Sequence, residues 1–91
     1  MTYKIEFSNE ATEDLKRLNA SEPKCFEKAV RFINEIAEHP RSGTGHPERL
    51  KHYELETWSR QISKKHRLVY RIYEDVVTVM LVSAFGHYDD K

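Results

Sequence analysis

A carboxylate, two arginines and a histidine–tyrosine pair are candidates for acid–base chemistry on a phosphodiester bond. Cleavage of RNA needs a base for the 2′-hydroxyl proton, a cation for the charge of the transition state, and an acid for the leaving 5′-oxygen. Glu48 offers a base, and Arg67 with Arg60 offers cations. His87, followed by Tyr88, offers an acid. Each residue also has a structural explanation as a loop, strand or terminal residue, so residue type alone does not decide.

Other catalytic and metal-binding patterns are absent from the sequence. It contains no Gly-x-Ser-x-Gly, Walker loop, Gly-x-Gly-x-x-Gly or His-Glu-x-x-His. The spacing of His46, Glu48 and His52 fits no standard metal signature. The single cysteine, Cys25, lies among helical core positions and is expected to be a structural thiol. We therefore expect neither a metal ion nor a cofactor.

Charge is balanced over the chain but not along it. The 91 residues carry 15 basic and 15 acidic side chains, so the net charge is zero. Between His46 and Arg71, however, seven lysines and arginines face only three acidic residues. A local excess of positive charge is a better guide to an RNA-binding surface than the total. A solvated strand surface is the competing explanation.

Length and hydropathy predict one domain, residues 1–91, located in the cytoplasm. A chain of this size has one hydrophobic core, and its ten aromatic residues can fill it. The longest apolar run, residues 76–82, is too short to span a membrane. The first residues lack the apolar stretch of a signal peptide.

The hydrophobic pattern predicts the elements that must position these side chains. Alternation over residues 3–7 indicates a strand, and Ser8 or Asn9 then begins a helix over residues 9–19. Ser21 is expected to cap a second helix, which Pro40 ends. After a glycine-containing loop at 41–47, extended segments are predicted at 50–56, 57–62, 66–73 and 76–84.

This order of elements predicts an α+β domain. We expect an antiparallel, twisted sheet of four to five strands, mixed at its edge, with two N-terminal helices packed on one face. Leu68, Tyr70 and Ile72 alternate with Arg67 and Arg71, so the apolar set should face the helices. The opposite face would then be exposed and basic.

Two sequence motifs and a terminal pair resemble a known family. Residues 43–52, GTGHPERLKH, look like the glycine-loop signature of YoeB/Txe-type toxins in the RelE/ParE superfamily. Residues 58–70, WSRQISKKHRLVY, look like that family's second signature at the same spacing, and His87-Tyr88 resembles its terminal pair. The resemblance implies a RelE-like microbial ribonuclease fold. It also implies a type II toxin that cleaves messenger RNA on the ribosome, without a metal.

The same resemblance implies a role for each matching residue. Glu48 would be the general base and Arg67 the arginine on the scissile phosphate. His87 would be the general acid, and Tyr88 would position the nucleotide. The basic residues near the motifs would contact the RNA or ribosomal backbone, namely Arg49, Lys51, His52 and Arg60.

Three positions depart from the family pattern. Gln61 stands where some members carry a second arginine, and His46 replaces a lysine in the glycine loop. The chain also continues past Tyr88 with Asp89, Asp90 and Lys91. Together with the zero net charge, these changes predict weaker ribosome binding with a flatter salt dependence than in basic relatives.

The resemblance implies several partners. Such toxins are held by an antitoxin of the YefM, Axe or Phd-like kind, whose C-terminal segment folds on the toxin. The antitoxin also binds operator DNA, so the toxin would meet that DNA only through the antitoxin. A basic sheet face with exposed Trp58 and Tyr88 suits an acidic segment that folds on binding. The ribosome and messenger RNA are the other implied partners. A homodimer occurs in some members, and no membrane contact is expected.

Two other functions stay open. A ParE-like inhibitor of DNA gyrase would share the fold without cleaving RNA, although it has no need for Glu48, Arg67 and His87 together. A non-catalytic module that acts only as an antitoxin-bound co-repressor is the second alternative, and the acidic tail residues would mark its weakened site.

Overall fold

A computed structural model describes residues 2–81 as two helices and a five-stranded sheet. In chain order the elements are β1 (Lys4–Phe7), α1 (Asn9–Ser21), α2 (Pro23–Glu38), β2 (Glu48–Leu50), β3 (Glu56–Gln61), β4 (Arg67–Tyr73) and β5 (Val76–Leu81). The strand order across the sheet is β1-β5-β4-β3-β2. All neighbouring strands are antiparallel except β1 and β5, which are parallel. The α+β class with a mixed edge is therefore confirmed.

Two serines show how the helix boundaries arise. The Ser8 hydroxyl accepts a hydrogen bond from the Ala11 backbone N–H at 3.0 Å, which confirms Ser8 as the cap of α1. The expected cap at Ser21 is wrong, because the Ser21 hydroxyl donates back to the Arg17 carbonyl. Helix α2 instead begins at Pro23, with Glu22 at the N-cap position and no side-chain cap.

The predicted strand over residues 50–56 is also wrong. Strand β2 spans only Glu48–Leu50, and residues 51–55 form bends before β3 begins at Glu56. Tyr53 and Leu55 are exposed, so the apolar residues that suggested a strand do not enter the core. Alternation alone does not reveal that these side chains have nothing to pack against.

The core lies between the two helices and one face of the sheet. Leu68, Tyr70 and Ile72 of β4 are buried there, as their alternation predicts. The helices contribute Ala11, Leu18, Ala29, Phe32 and Ile36. Val30, which also recurs at helical spacing, is exposed instead.

The sheet face away from the helices, here called the outer face, follows from the register. Residues directly opposite in an antiparallel pair share a face. Strand β4 turns Arg67, Val69 and Arg71 to the outer face, and these lie opposite Gln61, Ser59 and Thr57 of β3. Glu48 and Leu50 of β2 join them, opposite Ser59 and Thr57. Within the described residues, no helix has the length and hydropathy needed to cross a membrane.

Candidate active site

Glu48 is held at the edge of the outer face by the loop that precedes it. It is the first residue of β2, lies directly opposite Ser59, and is exposed. Gly43 and Gly45 have φ angles of 123° and 83°, which glycine adopts without steric cost. A Cβ atom on Gly45 would lie 2.6 Å from the Phe32 ring, so only glycine fits between this loop and α2.

Arg60 anchors the same loop from inside the protein. Its side chain is 0% exposed, and one guanidinium nitrogen pairs with the Glu35 carboxylate of α2. The guanidinium also donates to backbone carbonyls of the loop region, namely those of His39, Ser42 and Thr44. Its Nε donates to the Tyr70 hydroxyl at 3.1 Å. Every side of the guanidinium is therefore occupied by the protein.

The structure offers no support for the expected RNA contact of Arg60. A side chain that is fully buried and donates to five acceptors has no free donor for a phosphate. Alternation groups Arg60 with Trp58 and Ile62 on one face, but the partner of Arg60, Glu35, lies 25 residues away on α2. No local sequence pattern indicates that pairing.

The surroundings of Arg60 keep the Glu35 carboxyl ionised and the Tyr70 phenol protonated. Hydrogen bonds from the Thr44 backbone and side chain, together with Arg60, lower the pKa of the Glu35 carboxyl. Burial raises the pKa of the Tyr70 phenol, although Arg60 partly opposes that shift. The Tyr70 hydroxyl therefore keeps its proton and donates it to the Pro40 carbonyl at 2.7 Å.

Arg67 lies on the outer face, at the start of β4. It is half-buried and directly opposite Gln61, and Arg71 lies two positions further along the same strand. Two strand spacings separate β2 from β4, and Arg67 lies two residues along β4 from Val69, which is level with Glu48. The Cα atoms of Glu48 and Arg67 are therefore about 12 Å apart across the sheet. Among residues 2–81, neither Glu48 nor Arg67 forms an ion pair.

The turn before Arg67 is fixed by His66. The His66 carbonyl accepts from the Ile62 and Ser63 backbone N–H groups at 2.9 and 3.2 Å. The ring Nε2 of His66 lies 2.9 Å from a Glu22 carboxylate oxygen at the start of α2. Hydrogen bonds with His66, and then with Lys65, lower the pKa of Glu22. These contacts set the point at which β4 begins, and with it the position of Arg67.

The other predicted contact residues divide between the two faces. Lys51 and His52 are exposed in the bend after β2, where they line a shallow depression with Glu48. Arg49 lies opposite Trp58 and so alternates with Glu48 along β2, although its exposed side chain lines the same depression. Trp58 was expected to be exposed on the basic face, but it packs against the core and its indole N–H donates to Glu56.

Some predictions fall outside the described residues, and one feature was missed. His87, Tyr88 and the residues after them lie outside residues 2–81. Within the described part of the chain, no three His, Cys, Asp or Glu side chains converge to hold a metal ion. Sequence reasoning missed Ser59, which is buried in the middle of the outer face beside Glu48. The signal that could have found Ser59 is its position between Trp58 and Arg60, because alternation along a strand puts it on the opposite face from both.

Comparison with known proteins identifies one family. Over residues 7–88 the sequence matches the family described as YoeB-like toxin of bacterial type II toxin–antitoxin systems. The toxin RelK of Mycobacterium tuberculosis is 40% identical over 76 residues, which cover 84% of this chain and 89% of RelK.

Solved structures share the fold. A YoeB/ParE toxin from Agrobacterium tumefaciens has a TM-score of 0.80 at 27% identity, covering 88% of this chain and 95% of that one. The Staphylococcus aureus YoeB dimer has a TM-score of 0.79 at 29% identity, covering 91% and 97% of the two chains. The same toxin in a YoeB–YefM complex gives a TM-score of 0.76 with equal coverage. These similarities confirm the fold that the two motifs imply.

Proposed function

The chain belongs to the family of YoeB-like toxins of bacterial type II toxin–antitoxin systems, and we propose that it is a ribosome-dependent endoribonuclease. It would cleave messenger RNA during translation and so inhibit protein synthesis. The observation that supports this most is the placement of Glu48 and Arg67. Both lie on one sheet face, with Cα atoms about 12 Å apart and no ion-pair partner in residues 2–81. That spacing leaves room for an RNA backbone between a base and a cation.

The proposed reaction needs no metal or cofactor. Glu48 takes the 2′-hydroxyl proton, and the 2′-oxygen then bonds to the adjacent phosphorus while Arg67 stabilises the phosphate charge. His87 gives a proton to the departing 5′-oxygen, and Tyr88 holds the nucleotide. The products are a 2′,3′-cyclic phosphate, or the 3′-phosphate formed from it, and a 5′-hydroxyl.

Contacts with the RNA outside the reacting bond come from residues next to Glu48. Lys51 and His52 are exposed in the bend that follows β2, so we assign them to the RNA or ribosomal backbone. Arg49 alternates with Glu48 along β2, and Arg60 acts on the loop from the interior. The electrostatic contact with RNA therefore uses fewer side chains than the basic segment suggests.

We also propose that an antitoxin covers the outer face. The structure of a YoeB–YefM complex from Staphylococcus aureus supports a partner of that kind. An acidic segment that folds on binding would pair with Arg67 and Arg71, and operator DNA would be reached only through the antitoxin. The Staphylococcus aureus dimer supports a homodimer in the absence of antitoxin. The proposed target places the toxin in the cytoplasm.

Primer extension on a translated messenger RNA tests the function directly. Cells would express the wild-type chain, Glu48→Ala or His87→Ala, and RNA would be mapped after induction. We expect discrete cuts within codons from the wild type and none from either variant. Glu54→Ala is a matched control, because Glu54 is an exposed acid in the bend after β2 and has no assigned role. It should cut at the wild-type positions.

The other outcomes separate the alternatives. Growth arrest without RNA cleavage would overturn the ribonuclease proposal and favour a gyrase-type target. Neither cleavage nor arrest from a folded, antitoxin-binding chain would favour a non-catalytic co-repressor. Cleavage that survives Glu48→Ala would contradict the proposed base while leaving the activity in place.

A further inference from the structure

Ser59 lies in the middle of the outer face with a hydroxyl group that has no hydrogen-bond partner among residues 2–81. The residue is 0% exposed, and no described side chain or backbone group pairs with its Oγ. Most buried hydroxyls in folded proteins are paired, because removing one from water without compensation is unfavourable. An orphaned hydroxyl beside a candidate base therefore calls for an explanation.

The register leaves one acceptor directly beside Ser59. Its opposite neighbours are Glu48 on β2 and Val69 on β4, and the valine side chain accepts no hydrogen bond. Directly opposite side chains have Cβ atoms about 4.5–5.5 Å apart, so a glutamate carboxylate can reach the serine hydroxyl in an ordinary rotamer. The diagonal neighbours on β4, Arg67 and Arg71, carry donors only.

The same-face side chains on either side of Ser59 along β3 lie two residues away, about 6.7 Å along the strand, and each already uses its donor group. The Thr57 hydroxyl donates to the Leu55 carbonyl at 2.9 Å. The Gln61 amide donates to the Ser63 carbonyl at 3.3 Å. Glu48, in contrast, is exposed, and no hydrogen bond or ion pair within residues 2–81 holds its carboxylate.

We propose that the Ser59 hydroxyl donates a hydrogen bond to the Glu48 carboxylate when that side chain turns in over the outer face. Ser59 is then a positioning residue for the base. It holds one carboxylate oxygen and leaves the other free to take the 2′-hydroxyl proton. The consequence for RNA cleavage rests on the proposed function, whereas the Ser59–Glu48 hydrogen bond does not.

The hydrogen bond favours the ionised form of the carboxylate. Removing it with Ser59→Ala should therefore move the acid limb of the kcat/KM profile to higher pH. We expect kcat to fall about tenfold with little change in KM, because the charge-assisted hydrogen bond orients the base rather than the substrate. Ser59→Thr keeps a hydroxyl and should restore the wild-type acid limb.

Other charged and titratable side chains near Glu48 remain in every variant and set the common background. They are Arg67 and Arg71 on β4, and His46, Lys51 and His52 on either side of β2. Thr57→Val is the matched control, since Thr57 is a buried hydroxyl residue on the same strand and face. This variant should leave the acid limb in place.

A double-mutant cycle tests the hydrogen bond without any need for activity. Glu48→Ala and Ser59→Ala, singly and together, would be unfolded in urea at pH 7, with Thr57→Val in place of Ser59→Ala as the control cycle. We expect the Glu48–Ser59 pair to be coupled by about tenfold in the unfolding equilibrium and the Glu48–Thr57 pair to be uncoupled.

The two readouts keep the two proposals distinguishable. Coupling in the cycle without RNA cleavage by the wild type would overturn the proposed function and leave the Ser59–Glu48 pair standing. If the wild type cleaves RNA but Glu48 and Ser59 are not coupled and Ser59→Ala leaves the acid limb of the kcat/KM profile unmoved, the proposed function stands and the Ser59–Glu48 pair is overturned. A loss of kcat in Ser59→Ala without coupling would also overturn the inference, because Ser59 would then act on something other than Glu48.

Discussion

Two arginines of the second motif have opposite surroundings. Arg60 is fully buried, and its guanidinium bonds to a carboxylate, three carbonyls and a phenol. Arg67 is half-buried on the outer face and has no ion-pair partner within residues 2–81. The first uses its charge to hold the loop before Glu48, and the second keeps its charge available for a ligand.

Replacing Arg60 should therefore affect stability far more than replacing Arg67. We expect Arg60→Met to lower the free energy of unfolding by about 3–5 kcal/mol, because Glu35 and three loop carbonyls lose their donor in a buried site. Arg67→Met should cost less than about 1 kcal/mol. Urea unfolding at pH 7 measures both, and Arg31→Met, at an exposed position on α2, is the control. Equal losses for Arg60→Met and Arg31→Met would contradict the anchoring role.

Gln61 is the position where a fixed charge can be returned to the outer face. It lies directly opposite Arg67, so Gln61→Arg should add one phosphate contact. The plot of log affinity against log salt for the ribosome should then become steeper by roughly 0.7–0.9. Asn34→Arg makes the same charge change at an exposed position on α2. Equal steepening by the two variants would show that net charge, not the outer face, sets the slope.

At the site, the sequence predicts position better than role. Alternation along β4 correctly separates Arg67 from Leu68, because strand geometry is local. Alternation along β3 groups Arg60 with Trp58 but not with the correct face, because Trp58 was expected on the basic face and Arg60 at the RNA, whereas both lie on the helix side. The role of Arg60 depends on Glu35, a residue of α2 that meets it only through the tertiary fold. The unpartnered Ser59 hydroxyl is likewise a product of packing, so the sequence carries no direct sign of it.

At the level of elements, one hydroxyl group joins the first helix to the last strand. Ser8 Oγ accepts from the Ala11 N–H and also donates to the Met80 carbonyl at 2.6 Å. Met80 lies in β5 where the register with β4 shifts between Val69 and Tyr70, so its carbonyl is released from the regular ladder. The Ser8 hydroxyl therefore pairs with a backbone N–H in the first turn of α1 and with a backbone carbonyl at the irregularity in β5.

Substituting the two serines that flank α1 should give different results. Ser8→Ala should lower the free energy of unfolding by about 2 kcal/mol, because it removes a cap and leaves the Met80 carbonyl without that donor. Ser21→Ala should change it by less than about 0.5 kcal/mol, since the exposed Ser21 hydroxyl only donates back into its own helix. Thermal or urea unfolding compares them. A Ser21→Ala loss as large as that of Ser8→Ala would contradict this assignment.

The elements themselves were predictable where the pattern is long and one-sided. Helix α2 and strand β4 meet that condition, and both were found with errors of a few residues at their ends. The segment 50–56 was not predictable in this way, because Tyr53 and Leu55 look like core residues until the fold leaves them exposed. The parallel pairing of β1 with β5 joins residues too far apart for any local pattern to specify.

On the scale of the whole molecule, three paired carboxylates connect the layers. Glu22 contacts the β3–β4 turn, Glu35 contacts the interior arginine, and Glu56 receives two hydrogen bonds from Arg41 at 2.8 and 3.0 Å. Hydrogen bonds lower the pKa of all three carboxyl groups below the ordinary value of 4.5. They come from His66 and Lys65 to Glu22, from Thr44 and then Arg60 to Glu35, and from Arg41 to Glu56. Each pairing therefore stabilises the folded state only while the carboxylate is ionised.

The stability of the protein should consequently fall on acidification rather than at neutral pH. A carboxyl with a lowered pKa in the folded state contributes stability above about pH 4.5 and loses it as the pH falls through the folded value. Glu35→Gln should be less stable than the wild type at pH 7, and the difference should narrow below pH 4.5. Urea midpoints from pH 7 to pH 3 measure this, with Glu54→Gln as the control. A difference that widens in acid would contradict it.

The parallel pair at the sheet edge also dictates when the protein can be completed during its own synthesis. The two residues of every β1–β5 pair, from Lys4 with Val76 to Phe7 with Val79, are separated by the same long stretch of chain. At about 5–20 residues per second, β1 leaves the peptidyl-transferase centre about 4 to 14 s before its partner strand is made. Strand β4 likewise waits for β5 to cover its second edge. We therefore expect the nascent chain to lack an assembled sheet until translation is nearly finished, so that the proposed activity would be absent while the chain is still attached to the ribosome that makes it.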